Sequence, residues 1–214
     1  GTATGSNGTG STGGTTTTPI PVPTPSPVNV VSKTDTFTQN LAKDGDVDIL
    51  WVIDNSGSMA DKQKSLADNF NSFISHFAES EVNFKMAITT TDGTTNYNGK
   101  MVGDANKLTY SALLANKNEF ISNFKNYVNV GIKGSGREQG LKTAKSFMER
   151  YASSFLRQDA FLTIVIVSDE EDQSERPVDE YSSFFKGLKS KPGMVKVYSI
   201  VTQYLTPTMR EQSI

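Results

Sequence analysis

From residue 47 onward, near-continuous apolar runs alternate with stretches in which apolar residues recur every three or four positions. This is the pattern of a parallel sheet covered by helices. The runs 47–53 (VDILWVI) and 161–167 (FLTIVIV) are β-branched and almost unbroken, as central strands buried on both sides require. Trp51, inside the first run, is therefore assigned to the core. Segments 82–89 and 194–201 alternate more strongly, which predicts flanking strands with greater exposure. Leu66, Phe70, Phe73, Ile74 and Phe77 form one apolar stripe on a helix following Ser58, and Leu141, Ala144, Phe147, Met148 and Tyr151 form another on a helix starting near Gly136. Further helices are expected over 118–127 and 180–188, whereas 92–109 is polar and assigned to no element. The fold class read from this pattern is α/β, a doubly wound, mainly parallel sheet with helices on both faces.

The length of 214 residues suits one domain plus an extra segment. Residues 1–32 carry no charged side chain and hold nine threonines, six glycines and five of the eight prolines. Such a stretch cannot build a core. We read 1–36 as a tether, flexible at first and extended where prolines alternate, and 37–214 as the folded domain. A featureless tail fits the same composition. With 21 basic and 23 acidic residues the formal net charge is -2, so there is no broad positive field for nucleic acid. The absence of cysteine excludes disulfides, thiolate metal sites and cysteine nucleophiles. No stretch approaches the roughly 18 apolar residues of a membrane span. Uncharged Thr/Gly/Pro stalks accompany exported proteins, which points to an extracytoplasmic address, the cell surface or periplasm.

In a doubly wound sheet, ligands bind beyond the carboxyl ends of the strands, where successive connections leave in opposite directions. The first central run leads into Asp54-Asn55-Ser56-Gly57-Ser58. Alternate residues of an extended segment point the same way, so Asp54, Ser56 and Ser58 can converge. The second central run supplies Asp169. A plainer reading is that Ser58, with Asp61 three residues on, merely caps the following helix. Thr89 to Asp92 either line the rim of the same site or begin a polar loop. His76, the only histidine, lies off the apolar stripe of its helix and reads as a solvated surface residue. With no other imidazole available, a serine-hydrolase triad is not supported.

The segments 49–59 (ILWVIDNSGSM), 134–141 (GSGREQGL) and 164–172 (IVIVSDEED) resemble the three loops of the metal-ion-dependent adhesion site in von Willebrand factor A domains. The resemblance runs from about residue 46 to 203. It implies Asp54, Ser56 and Ser58 as first-loop ligands, Ser135 as the second-loop hydroxyl and Asp169 as the third-loop carboxylate. This chain has Ser135 where the family usually has Thr, and Glu170 where many relatives have Gly. Relatives normally continue with a sixth strand and further helices, so the C-terminal part reads as incomplete, either a fragment or a domain whose edge is covered otherwise.

Hard oxygen donors without His or Cys suit Mg²⁺, or Mn²⁺ or Ca²⁺. Five such donors leave a coordination place open, and the Asp or Glu of a protein partner is its natural occupant. The expected function is thus metal-dependent protein binding without catalysis, on a module resembling exported bacterial members of the family, lipid-anchored through the N-terminal tether. Two alternatives are a scaffold domain with a vacant metal site and a Mg-dependent phosphatase using Asp54 as nucleophile. The phosphatase requires a second carboxylate two residues on, where Ser56 stands.

Overall fold

The computed structural model describes residues 45–79 and 81–201, with the side chains of His76 and Val201 excepted. The expected tether and residues 202–214, on which the question of C-terminal completeness turns, lie outside them. Strands β1 (Val47–Ile53), β2 (Phe84–Thr90), β3 (Phe161–Ser168) and β4 (Val195–Val201) form one sheet in the order β2-β1-β3-β4, every pair parallel. β1 connects outward to β2 on one side, and β3 connects outward to β4 on the other. The change of direction therefore falls between β1 and β3, which are neighbours, and opens a crevice at their carboxyl ends.

Strand alternation divides the core between two faces. Ile49, Trp51, Ile53, Val165 and Val167 meet α1 (Ala60–Glu79), α2 (Tyr110–Ala115) and α3 (Lys117–Val128), whereas Leu50, Val52, Leu162, Ile164 and Ile166 meet α4 (Gly140–Phe155) and α5 (Val178–Lys186). On the first face the stripe of α1 does what its spacing predicts. Phe70 stacks on Phe124 and Phe120, and Trp51 sits edge-on to Phe73 and Phe124 at 5.7 and 5.6 Å between ring centroids. Trp51 is core, as its place in the apolar run implied.

The structure corrects several sequence-based bounds. The helix expected from Gly136 starts at Gly140, because the residues before it are used in pairing: Asp92 bridges Glu138, and the Gln139 amide donates to the Thr91 carbonyl at 3.0 Å. α2 was not legible, although Thr109 caps it by accepting from the Ala112 amide. The expected exposure of the β2 strand is not found. Phe84 and Met86 to Thr90 are buried, since Val102 and Thr109 bridge Ile88 and Lys85 along the outer edge and α4 packs on one face. β4 does show exposure, with Val197, Tyr198 and Ile200 open to solvent.

At the amino ends of the strands a buried charge cluster holds the base of the sheet. Fully buried Asp48 accepts from Arg157 Nε at 2.8 Å and from the Arg157 amide at 2.7 Å. Lys189, its pKa lowered by burial, lies 3.5 Å from the same carboxylate.

Phe70 joins α1, α3 and the sheet at one point. Phe70→Ala is expected to cost about 3–5 kcal/mol through lost burial and the cavity left behind, measured as a drop in the midpoint of urea unfolding.

Candidate functional site

Two backbone hydrogen bonds prolong the sheet past its strands. The Asp54 amide donates to the Val167 carbonyl at 2.9 Å, and the Thr91 amide donates to the Ile53 carbonyl at 3.1 Å. Three loops thereby leave the sheet side by side at the β1/β3 crevice. The first turns tightly: the Ser56 amide donates to Asp54 Oδ1 at 2.7 Å, and a short 3₁₀ turn, Gly57–Met59, leads into α1. Gln63, buried on α1, braces this turn by donating to the carbonyls of Asp54 and Gly131 at 2.8 and 2.9 Å.

Asp54, Ser56, Ser58 and Asp169 are brought together in one contiguous group. Ser56 Oγ and Ser58 Oγ lie 3.2 Å apart, and Ser58 Oγ donates to Asp169 Oδ1 at 3.0 Å. Ser168 Oγ donates to Asp54 Oδ2 at 2.7 Å, which links the third loop back to the first. No side-chain cap was found for the 3₁₀ turn. The Ser58 hydroxyl reaches across to a different strand end instead of closing a capping box with Asp61. Asp54 is fully buried and Asp169 is 2% exposed, an arrangement that concentrates negative charge in little solvent.

Ser135 stands differently. Its loop is anchored beside the first, the Gly134 amide donating to the Asn55 carbonyl at 2.8 Å. Gly134 packs so tightly on the Asn55 side chain that a Cβ there would lie 2.3 Å from it. The Ser135 hydroxyl, however, accepts from the Arg137 amide at 3.0 Å, and its own amide donates to Asp92 Oδ2 at 3.1 Å. It is next to the group and outside its hydrogen-bonded chain.

Two participants, Lys62 and Glu138, were not singled out from the sequence. Lys62 on α1 donates to the Ser58 carbonyl at 3.1 Å and lies 3.2 Å from Asp169 Oδ2. Asp169 in turn holds the Lys62 ammonium above its usual pKa. Asp92 is buried, so of its two sequence readings the structure places it against the second loop. Glu138 is 1% exposed and packs against Asp54. Its Oε2 accepts from the Thr91 hydroxyl at 2.5 Å. The Glu138 carboxyl is pushed up to about 7, mainly by burial, with the Thr91 bond opposing and the charge of Asp54 adding to the rise. A signal for Glu138 existed in the second-loop segment, but nothing in its spacing separated it from Glu170 or Glu171.

The chemistry of the donor set fits a hard cation. Two carboxylates and two hydroxyls adjoin at the end of the crevice, and hydroxyls are donors that Mg²⁺, Mn²⁺ and Ca²⁺ accept. Among the described residues, no three Asp, Glu or His side chains gather closely enough to hold an ion by themselves. Hydroxyls and water would have to complete any coordination shell.

Between about pH 4.5 and 7, Glu138 in the folded chain keeps a proton that the unfolded chain has released. Stability must therefore fall as pH rises through that window. In chelating buffer Glu138→Gln is expected to gain about 1–3 kcal/mol over the parent protein between pH 5 and pH 8, read from urea unfolding at both pH values.

No family model matches the chain, and no curated protein matches it. Among solved structures it is similar to proximal thread matrix protein 1 from the mussel byssus, at 16% identity and a TM-score of 0.50, over 79% of this chain and 41% of that one. Another structure of that protein matches at 16% identity and a TM-score of 0.47, covering 78% and 40% of the two chains. The pilus adhesin SpaC from Lactobacillus rhamnosus GG, in an open conformation, matches at 15% identity and a TM-score of 0.40, over 63% of this chain and 15% of that one. The chain thus spans about two fifths of the thread matrix protein. The likeness to that protein is one of fold, and the parallel sheet with helices on both faces is compatible with a von Willebrand factor A-like architecture.

Proposed function

We propose that this chain is a divalent-metal-dependent protein-binding module that engages an Asp or Glu of its partner at the β1/β3 crevice. The observation that carries this reading is the Asp54, Ser56, Ser58 and Asp169 group, assembled from two strand ends 115 residues apart in sequence. Mg²⁺, or Mn²⁺ or Ca²⁺, would be held by Asp54, Ser56, Ser58 and Asp169, with Ser135 contributed from the adjoining loop. The ion would supply a Lewis-acidic point for an incoming carboxylate. Lys62, half-exposed beside Asp169, adds positive charge at the rim, which favours an acidic partner over a basic one.

The proposed role is non-catalytic, a reading supported by what adjoins the hydroxyls. Ser56 and Ser58 contact each other and Asp169, not the imidazole that a serine nucleophile commonly employs. His76 is in α1, 16 residues beyond Ala60, hence about 24 Å along the helix axis. The phosphatase alternative is disfavoured because Ser56 occupies the place of the second carboxylate. Adhesion at an exterior surface is the setting that this chemistry and the uncharged N-terminal composition suit best. Among the described residues, no helix is long and apolar enough to cross a membrane.

Calorimetric titration with Mg²⁺ or Mn²⁺ is expected to show one saturable site, weakened at least 10- to 100-fold by Asp54→Ala. Capture of a protein ligand from surface-exposed material should then require the metal and fail in chelator. Equal capture in both buffers would remove the metal bridge from the proposal.

A further inference from the structure

Asp169 meets a cation that belongs to the chain itself. Lys62 Nζ lies 3.2 Å from Asp169 Oδ2, while Ser58 Oγ donates to the other oxygen, Oδ1, at 3.0 Å. Both oxygens of this carboxylate are therefore engaged from the first loop and the start of α1. The Asp169 side chain is 2% exposed, so salt and water screen the pair less than they screen a pair on the open surface. The ammonium has further partners: it donates to the Ser58 carbonyl at 3.1 Å and lies 3.3 Å from Asp61 Oδ1.

Helix and side chain are held to different degrees. The backbone at Lys62 is fixed, because the next residue, Gln63, is tied to the carbonyls of Asp54 and Gly131. The Lys62 side chain is 38% exposed, and its two carboxylate partners stand in opposite surroundings, Asp169 enclosed and Asp61 80% exposed. Because Nζ already touches both, the inner contact can break while the outer one is kept. A compact ammonium on a flexible four-carbon stem suits such an exchange, whereas a planar guanidinium would bind the carboxylate in a fork. Lys64, on the same helix, turns to Asp68 instead.

A divalent ion held by Asp54, Ser56, Ser58 and Asp169 would repel an ammonium resting on that same carboxylate. We propose that Lys62 is an internal competitor for Asp169, which the metal must displace in order to load, so that this lysine sets the affinity of the site for its ion. The proposal rests on the metal-binding reading above and deepens it. Displacement leaves the ammonium with Asp61 at the rim, where the carboxylate of an acidic partner can reach it. Metal loading and the presentation of a positive rim to the partner are thereby one event.

The test is calorimetric titration of Mn²⁺ into the full chain and its Lys62→Met, Lys64→Met and Asp54→Ala variants, with a thermal melt in chelator as a folding control. Lys62→Met keeps most of the apolar stem and removes the charge, and Lys64→Met removes the same charge from the same helix away from Asp169. Expected are saturable binding by the parent protein, binding about 3- to 10-fold tighter in Lys62→Met, an unchanged Kd in Lys64→Met and weaker binding in Asp54→Ala. A Kd for Lys62→Met equal to or weaker than that of the parent, with Asp54→Ala weakened, would overturn the competitor and leave the metal site standing. Equal tightening in both lysine variants would overturn it as well, since net charge alone would then account for the effect. No binding by the parent protein would overturn both readings. Should Lys62→Met fail to fold, Lys62→Gln takes its place with the same tightening expected, and an unchanged or weaker Kd would overturn the proposal.

Discussion

The hydrogen bonds from the Asp54 amide to Val167 and from the Thr91 amide to Ile53 are the constraint on which the candidate site depends. They carry the parallel pairing one step beyond three adjacent strands, so the loops that follow must depart from a common line. Everything polar in the crevice is placed relative to that line. Because β1 is flanked by β2 and β3 and buried on both faces, the line itself cannot shift without breaking two ladders and two packed layers. Oxygen donors on loops are thereby given the positional precision of a sheet.

The rigidity has supports at both ends of the strands. At the base, Asp48, Arg157 and Lys189 form a buried charge cluster that ties β1 to the connection between α4 and β3. At the crevice, Gln63 fixes the Asp54 turn from the side of α1, and the close fit of Gly134 on Asn55 fixes the second loop to the first. Removing either partner from a buried ionic cluster exposes the other to uncompensated burial. These contacts therefore matter more for alignment than for any net gain in stability.

Negative charge at the crevice is held partly without compensation. Lys62 neutralises Asp169 from the rim, and Ser168 and the Ser56 amide satisfy Asp54, whereas Glu138 is held protonated up to about pH 7 by its burial beside Asp54. Sites whose local arrangement costs stability are commonly those retained for binding. The acidic run from Asp169 to Asp172 divides along the same principle. Asp169 points into the site, Asp172 accepts from the amides of Leu141 and Ser174 and so shapes the second and third loops, and Glu170 and Glu171 remain at the exposed side.

Sequence by itself determined the layered architecture, because burial on both faces demands unbroken apolar strands and one-sided helix stripes, and both periods are visible in 47–53, 161–167 and the helix of Phe70. It also marked Asp54, Ser56 and Ser58, since their mutual approach is a local property of one turn, and Asp169 through its place after the second strand. Tertiary structure alone decided that β2 is buried, since its cover comes from residues 102 and 109, and that α4 begins at Gly140, four residues after the expected start near Gly136. It likewise decided the positions of Ser135, Lys62 and Glu138. Their surroundings are built by contacts between loops distant in sequence, and no periodicity records which side chain a neighbouring loop will turn inward.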